Sequence, residues 1–176
     1  MSGHNKWSKI KRKKEAGDAH KSKVFGKLAR LIAVESKKAG GNTNAPNLRA
    51  GIEKARKENM PSDNIDRAIK KGVGENQAAM ETLLYEAYGP AGIAIMIQVL
   101  TDNRNKAAAE IKHILSKNGA SLAAQGAASW AFTKTADGWQ ANQTVDLSDE
   151  DLEKLDSIVT ELEDSEEVQE VFTNAD

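Results

Sequence analysis

The feature that most constrains the fold is the opposed charge of the two halves of the chain. Residues 1–72 carry 19 basic and 7 acidic side chains, a net charge of +12, whereas residues 73–176 carry 6 basic and 19 acidic ones, a net charge of −13. The formal net charge of all 176 residues is therefore only −1. Halves of opposite charge predict two separate bodies, one that faces a polyanion and one that is repelled by it.

The basic half, residues 1–74, is predicted to form a small domain of three helices. Apolar residues recur at the spacing of one helix face in three runs: Val24, Leu28, Leu31 and Ile32; Leu48, Ile52 and Ala55; Ile65, Ala68 and Ile69. The first helix is expected to end near Gly40-Gly41 and the second before Pro61. Each helix buries its apolar face against the other two, which is sufficient for a small core.

The acidic half, residues 79–176, is predicted to be an α+β domain. The expected strands are 82–88, 93–100, 127–133, 144–147 and 167–173, and the expected helices are 105–117 and one that begins after an N-cap at Ser148. A turn is expected at Asp137-Gly138. This order is similar to a ferredoxin-like split-βαβ sandwich with one extra strand, in which both helices cover one face of an antiparallel sheet.

The opening stretch is a cationic arm. Residues 1–38 hold 12 Lys and Arg against 3 acidic residues, a local net charge of +9, which favours nucleic-acid binding over a merely solvated terminus. Trp7 among the lysines must either pack on the domain or stack on a base. The predicted nucleic-acid-binding residues are Lys6, Trp7, Lys9, Lys11, Arg12, Lys13, Lys14, Lys21, Lys23, Lys27 and Arg30.

A second polar cluster lies between the most strand-like run and the following helix. Its candidate contact residues are Asn103, Arg104, Asn105 and Lys106. Two interpretations are open: either Asp102 or Asn103 only caps the helix while Arg104 faces water, or the free amides of the helix start bind a phosphate or a partner.

No pattern in the chain indicates catalysis, a cofactor or a metal. The sequence has no cysteine, and its three histidines, His4, His20 and His113, are far apart and lack metal-ligand spacing. No apolar run has the length of a membrane span and no signal peptide is recognisable, so we expect a cytoplasmic protein that does not bind membranes. The sequence does not define an oligomeric state.

Several motifs, spread over most of the chain, resemble one known family. They are Gly3-His4-Asn5-Lys6-Trp7, Lys23-Val24-Phe25-Gly26-Lys27-Leu28, Asn59-Met60-Pro61, Arg67-Ala68-Ile69-Lys70-Lys71-Gly72, Tyr85-Glu86-Ala87-Tyr88-Gly89-Pro90, Thr101-Asp102-Asn103-Arg104-Asn105 and Ser116-Lys117-Asn118-Gly119. On these motifs the chain is similar to the YebC family of bacterial regulators, which includes the mitochondrial translational activators of cytochrome c oxidase.

The resemblance implies a non-enzymatic regulator of gene expression that binds nucleic acid. It implies either a DNA-binding transcriptional regulator or a factor that binds RNA or the ribosome and helps translation through stalling sequences. Members of the family usually carry a further small α/β domain between the strands that here end near Phe132 and begin near Thr144; this chain has a short linker there, which we expect to act as a hairpin connection. A different hypothesis is a protein-interaction module, because residues 149–176 hold 12 acidic residues and one basic residue and suit a basic partner.

Overall fold

The computed structural model describes residues 6–176, which divide into two compact units. Residues 14–80 form an all-helical unit, called the helical unit below. Residues 6–13 and 81–176 form the second, called the α+β unit, so the division falls inside the first helix, α1 (Lys6–Glu15). Gly3, His4 and Asn5, which belong to the first family motif, lie outside the described residues.

The helical unit is built on α2 (Asp18–Ala39), α3 (Pro46–Lys57) and α4 (Ser62–Gly72). Its core consists of the apolar residues that the periodicity predicts, among them Leu28, Ile32, Leu48 and Ile52. The helix α2 ends as predicted, because Gly40 adopts a left-handed conformation with φ of 60° that few other residues tolerate.

Close contact between α2 and α4 depends on Gly72. A Cβ atom at this position would lie 2.2 Å from the carbonyl oxygen of Ala33, so only glycine lets the two helices approach to this distance. The Ser36 hydroxyl adds a hydrogen bond of 2.7 Å to the carbonyl oxygen of Ile69.

The α+β unit contains a four-stranded antiparallel sheet with strand order β3-β1-β2-β6. The strands are β1 (Glu81–Tyr88), β2 (Ala94–Thr101), β3 (Ser121–Ala123) and β6 (Val168–Thr173). The helix α5 (Arg104–Lys117) connects β2 to β3, and α6 (Asp149–Asp164) precedes β6. Since β1 lies between β2 and β3, the predicted split-βαβ arrangement and the α+β class are confirmed.

Alternate residues of the strands face two different layers. Ile95, Ile97 and Val99 of β2 pack against α5 and α6, so both helices cover one face as predicted. Ala94 and Met96 point the other way and pack with a two-stranded hairpin made of β4 (Phe132–Thr135) and β5 (Gly138–Ala141). The sheet is therefore buried on both faces.

The hairpin spans residues 132–141, within the segment that was expected to be a short linker. Thr135 pairs with Gly138, so Ala136 and Asp137 connect the strands and the predicted turn at Asp137-Gly138 lies at this loop. The hairpin connection predicted between strands 127–133 and 144–147 does not form, because β4 and β5 lie inside that linker and pair with each other. Gly138 has a φ of 131°, and a Cβ atom there would lie 2.5 Å from Cζ of Phe172. The short connection thus depends on a glycine that packs directly on the ring of a β6 residue.

Two strand predictions are wrong. Within the predicted strand 127–133, Ser129–Ala131 forms a 3-10 turn and a strand begins only at Phe132, in the separate hairpin. The predicted strand 144–147 is reduced to one isolated parallel bridge between Val145 and Ala175. The first error has a physical cause, which lies in Glu86 and is described below.

Candidate nucleic-acid interface

The aromatic residue of the cationic arm is buried. Trp7 is only 8% exposed and packs in the apolar core of the α+β unit, and its backbone N–H donates a 2.8 Å hydrogen bond to the backbone oxygen of Asp176. Ile10, three residues further on and therefore on the same face of α1, is partly buried against the same core. Of the two alternatives for Trp7, the structure favours packing on the domain, and a nucleic-acid contact by Trp7 stays a prediction. The packing also places the start of the arm in the α+β unit.

The rest of α1 presents cations to solvent. Lys9, Lys11, Arg12, Lys13 and Lys14 are all exposed. Lys9, Arg12 and Lys13 point away from the face of Trp7 and Ile10, whereas Lys11 and Lys14 follow Trp7 and Ile10 by four residues and lie beside that face. The apolar face holds such a helix in place, and the exposed cations on its other faces are presented to phosphates.

Lys6 has an acidic neighbour within the α+β unit. Its Nζ atom lies 3.2 Å from Oδ1 of Asp149, and both side chains are largely exposed. An exposed ion pair of this kind contributes little to stability and is screened by salt, so it does not prevent Lys6 from meeting a phosphate.

Further cations lie on α2. Lys21 and Lys23 are exposed, whereas Lys27 and Arg30 are half-buried. Residues 14–80 hold 14 basic and 8 acidic side chains, a net charge of +6 for the helical unit by itself. This unit therefore attracts anions over much of its surface.

A groove of about 610 Å³ lies within the helical unit, between residues of α2 and α4. Its apolar lining includes Phe25, Met60 and Met80, and its polar lining consists of Arg30, Asn64, Arg67, Lys71 and Gln77. Among the described residues that line the groove, none is acidic. Of these residues the sequence predicted only Arg30 as a contact, because a groove depends on how two helices pack and leaves no local signal.

The second predicted cluster, at the start of α5, is occupied by the protein itself. Asn103 caps the helix, since its Oδ1 accepts a 3.1 Å hydrogen bond from the backbone N–H of Lys106. Arg104 makes a two-pronged ion pair with Glu81, at 3.1 and 2.9 Å, and Nζ of Lys106 lies 3.6 Å from Glu167. The hydrogen bond from Arg104 lowers the pKa of Glu81. The capping interpretation explains Asn103; a phosphate contact by Arg104, Asn105 and Lys106 stays a prediction.

Glu86 is a functional group that the strand pattern did not reveal. The residue is 4% exposed, and its carboxylate accepts hydrogen bonds from the backbone N–H groups of Gly126, Ala128 and Ser129 at 2.6, 2.9 and 2.6 Å. Burial acts to raise the pKa of Glu86, but these hydrogen bonds outweigh it and the pKa lies below its usual range. The amides bond to a carboxylate and not to a neighbouring strand, which explains why the predicted strand at 127–133 does not form. An acid inside an otherwise apolar strand was the available signal.

The same loop exposes an aromatic side chain. Trp130 is 70% exposed, and its indole N–H donates a 2.8 Å hydrogen bond to the carbonyl oxygen of Ala127, which also accepts one from the Tyr88 hydroxyl. Trp7, which was predicted to contact nucleic acid, is therefore buried, whereas Trp130, which lies in the predicted strand 127–133, is at the surface.

Residues 6–176 show neither a metal-binding cluster nor a membrane-spanning helix. Across 6–176, no three His, Asp or Glu side chains are grouped so that they could hold a metal ion, and His113 is exposed on α5. None of the helices described is both long and apolar enough to cross a membrane.

Comparison with known proteins places the chain in a family. The family model for the "TACO1/YebC protein N-terminal domain" matches residues 5–75. The family model for the "TACO1/YebC second and third domain" matches residues 80–137. The chain belongs to the TACO1/YebC family. The resemblance found in its motifs is thereby confirmed.

Curated TACO1/YebC relatives carry the name "Probable transcriptional regulatory protein". The one from Fervidobacterium nodosum is 47% identical over 171 residues, which is 96% of this chain and 68% of the relative. The one from Thermotoga maritima is 51% identical over 136 residues, which is 76% of this chain and 54% of the relative. The chain thus spans about half to two thirds of the length of these relatives.

A solved structure supports the fold of this TACO1/YebC chain. The crystal structure of a conserved hypothetical protein from Aquifex aeolicus superimposes with a TM-score of 0.75 at 29% identity. The match covers 90% of this chain and 91% of the other.

Proposed function

We propose that this chain is a cytoplasmic, non-enzymatic regulator of gene expression that binds nucleic acid through the exposed cations of α1 and of the helical unit. The observation that carries the proposal is α1, whose apolar face is buried while Lys9, Lys11, Arg12 and Lys13 stay in water. A fixed helix loses little conformational entropy when it meets phosphates, unlike a disordered lysine tail.

The names of the curated relatives support DNA and transcription as the finer assignment. Lysine and arginine contacts to phosphates supply affinity and orientation but do not themselves read a base sequence. A DNA-binding role on this basis predicts strong salt dependence and modest sequence preference.

A second candidate is a translation factor that binds RNA or the ribosome. The groove of the helical unit favours it, because a mixed apolar and cationic groove suits bases that are not stacked in a duplex. Single-stranded segments of this kind are a common target in RNA.

The proposal is tested by a matched pair of fourfold variants. One replaces Lys11, Arg12, Lys13 and Lys14 by Gln, and the other, the control variant, replaces Lys112, Lys117, Lys134 and Lys154 of the α+β unit by Gln. Binding to duplex DNA and to RNA is measured by fluorescence anisotropy over a range of salt concentrations. For duplex DNA, the α1 variant is expected to flatten the slope of log K against log salt by about 3 to 4, and the control variant to leave it almost unchanged.

Two outcomes contradict the proposal. The first is a wild-type chain that binds neither nucleic acid at near-physiological salt. The second is an α1 variant whose affinity and slope equal those of the wild type, because the cations of α1 would then make no phosphate contact.

The transcription and translation candidates are distinguished by sedimentation of the tagged protein through a sucrose gradient, from a lysate in which DNA has been digested. Migration with ribosomal particles supports the translation candidate and demotes the transcriptional one. Retention at the top of the gradient, together with tight duplex binding in the anisotropy assay, supports the transcriptional one.

A further inference from the structure

The groove of the helical unit combines features that a lysine-rich surface alone does not provide. Gly26 and Ala29 of α2 and Ala68 of α4 line it with small side chains, so the space between the helices stays open. Phe25, Met60 and Met80 give it an apolar wall. Arg67 and Lys71, one turn apart on α4 and both exposed, add two cations to the same groove.

Gly26 has no structural reason to be glycine. It lies inside the long helix α2, where glycine is destabilising relative to alanine. A Cβ atom at Gly26 would meet nothing within 4 Å, whereas one at Gly51 would lie 3.6 Å from Ile32 and one at Gly72 would lie 2.2 Å from the Ala33 oxygen. Neither packing nor backbone conformation requires a glycine here, and a missing side chain on the groove wall leaves room for a ligand to approach the backbone closely.

We propose that the groove binds a single unstacked nucleotide of a single-stranded nucleic acid, with the base against the side chain of Phe25 and the open backbone at Gly26 and the phosphate at Arg67 and Lys71. The inference rests on the proposed function, because it specifies the form of nucleic acid that the basic helical unit takes. A guanidinium and an ammonium suit a phosphate, and an aromatic ring with thioethers suits the flat face of a base.

The groove favours a nucleotide over another kind of anion, the acidic side chain of a peptide. The side-chain amide of Asn64 offers both donors and an acceptor, which matches the edge of a base. Its Oδ1 accepts a 3.4 Å hydrogen bond from Nη2 of Arg67. A carboxylate would use Arg67 and Lys71 but would leave the apolar wall without a partner.

The test uses a labelled ten-nucleotide RNA, the single-stranded DNA of the same sequence and the corresponding DNA duplex. The variants are Gly26→Leu, which fills the groove, and the double variant Arg67→Gln with Lys71→Gln. The matched control is Arg56→Gln with Lys57→Gln, which removes two cations of α3 that do not line the groove.

Gly26→Leu is expected to weaken binding of both single strands on the order of tenfold and to change duplex binding by less than about twofold. Its melting temperature is expected to stay at or above that of the wild type, because the added side chain enters open space. The groove double variant is expected to lose more affinity for single strands than the control double variant does.

Three results overturn the inference. If single-strand and duplex affinities fall in parallel in the groove variants, the groove contributes charge alone. If neither Gly26→Leu nor the groove double variant changes single-strand binding while the fourfold α1 variant does, the inference fails and the proposed function stands. If a glutamate-rich peptide of equal charge displaces the RNA and Gly26→Leu abolishes peptide binding, the occupant is an acidic peptide.

Discussion

The two units differ in how the cations of their candidate sites are paired. The α+β unit satisfies cations and free amides with its own carboxylates: Glu81 on Arg104, Glu167 on Lys106, and Glu86 on the amides of the 126–129 loop. In the helical unit, the described residues that line the groove include Arg67 and Lys71 but no acid. Positive residues in a sequence are therefore not equally available, because availability depends on which acids the fold brings beside them.

The largest effect is expected at the close contact between α2 and α4, the two helices on either side of the groove. Gly72→Ala would put a Cβ atom 2.2 Å from the Ala33 carbonyl oxygen and force α4 away from α2, which should lower the free energy of unfolding by about 3 kcal/mol. Urea denaturation followed by circular dichroism measures the loss. An unchanged midpoint would mean that the close approach of the two helices is not a structural requirement.

The internal carboxylate of the α+β unit is the next most sensitive group. Glu86→Gln leaves fewer acceptors for the amides of Gly126, Ala128 and Ser129 and should cost about 2 kcal/mol of unfolding free energy. Glu153→Gln on the exposed face of α6 should cost almost nothing. The same denaturation experiment measures both. Equal effects of the two substitutions would contradict the role assigned to Glu86.

Stability should also depend on pH through Glu86. Its pKa is lowered in the folded protein, so its contribution is present above the unfolded value of 4.5 and is lost as the pH falls through the folded pKa. Thermal melts from pH 6 to pH 3 should show a steeper loss for the wild type than for Glu86→Gln. Parallel curves would show that the loop amides do not stabilise the charged form.

Gly26→Ala tests the groove of the helical unit without removing a charge. The substitution should raise the free energy of unfolding by about 1 kcal/mol, because it removes a helix-interior glycine and adds a methyl group to open space. A stabilised protein with weakened single-strand binding is expected. Stabilisation with undiminished binding would indicate that Gly26 is not near the ligand.

The smallest effect is expected at the exposed ion pair of the α+β unit. Arg104→Gln removes the pair with Glu81, and exposed pairs contribute little because water and salt screen them. The melting temperature should fall slightly at low salt and not at all at high salt. A large fall at both salt concentrations would mean that the pair is more than a surface contact.

Much of the fold was predictable because its signals are local. Apolar residues three and four positions apart, such as Leu28 and Ile32, predicted α2. Ser148 caps α6 as expected, because its Oγ accepts a 3.2 Å hydrogen bond from the backbone N–H of Asp151. Caps and apolar periodicity depend on residues a few positions apart, so they can be recognised without knowledge of the tertiary structure.

The site was less predictable because its features depend on distant residues. Trp7 is buried by contacts that reach the far end of the chain, including Asp176, and no neighbouring residue distinguishes it from the exposed Trp130. The 127–133 segment alternates like a strand, but Glu86 takes its amides. The acids that pair with Arg104 and Lys106 are likewise distant in the sequence: Glu81 lies in β1, and Glu167 directly precedes β6.

The most direct test compares two double variants with the same change in charge. Arg67→Gln with Lys71→Gln removes the groove cations, and Arg104→Gln with Lys106→Gln removes the cations that the α+β unit neutralises itself. Affinity for a single-stranded RNA is measured for both at one fixed salt concentration. The account predicts that the groove variant loses on the order of tenfold in affinity while the α5 variant stays within about twofold of the wild type. Equal losses would show that net charge alone governs binding and would contradict the account.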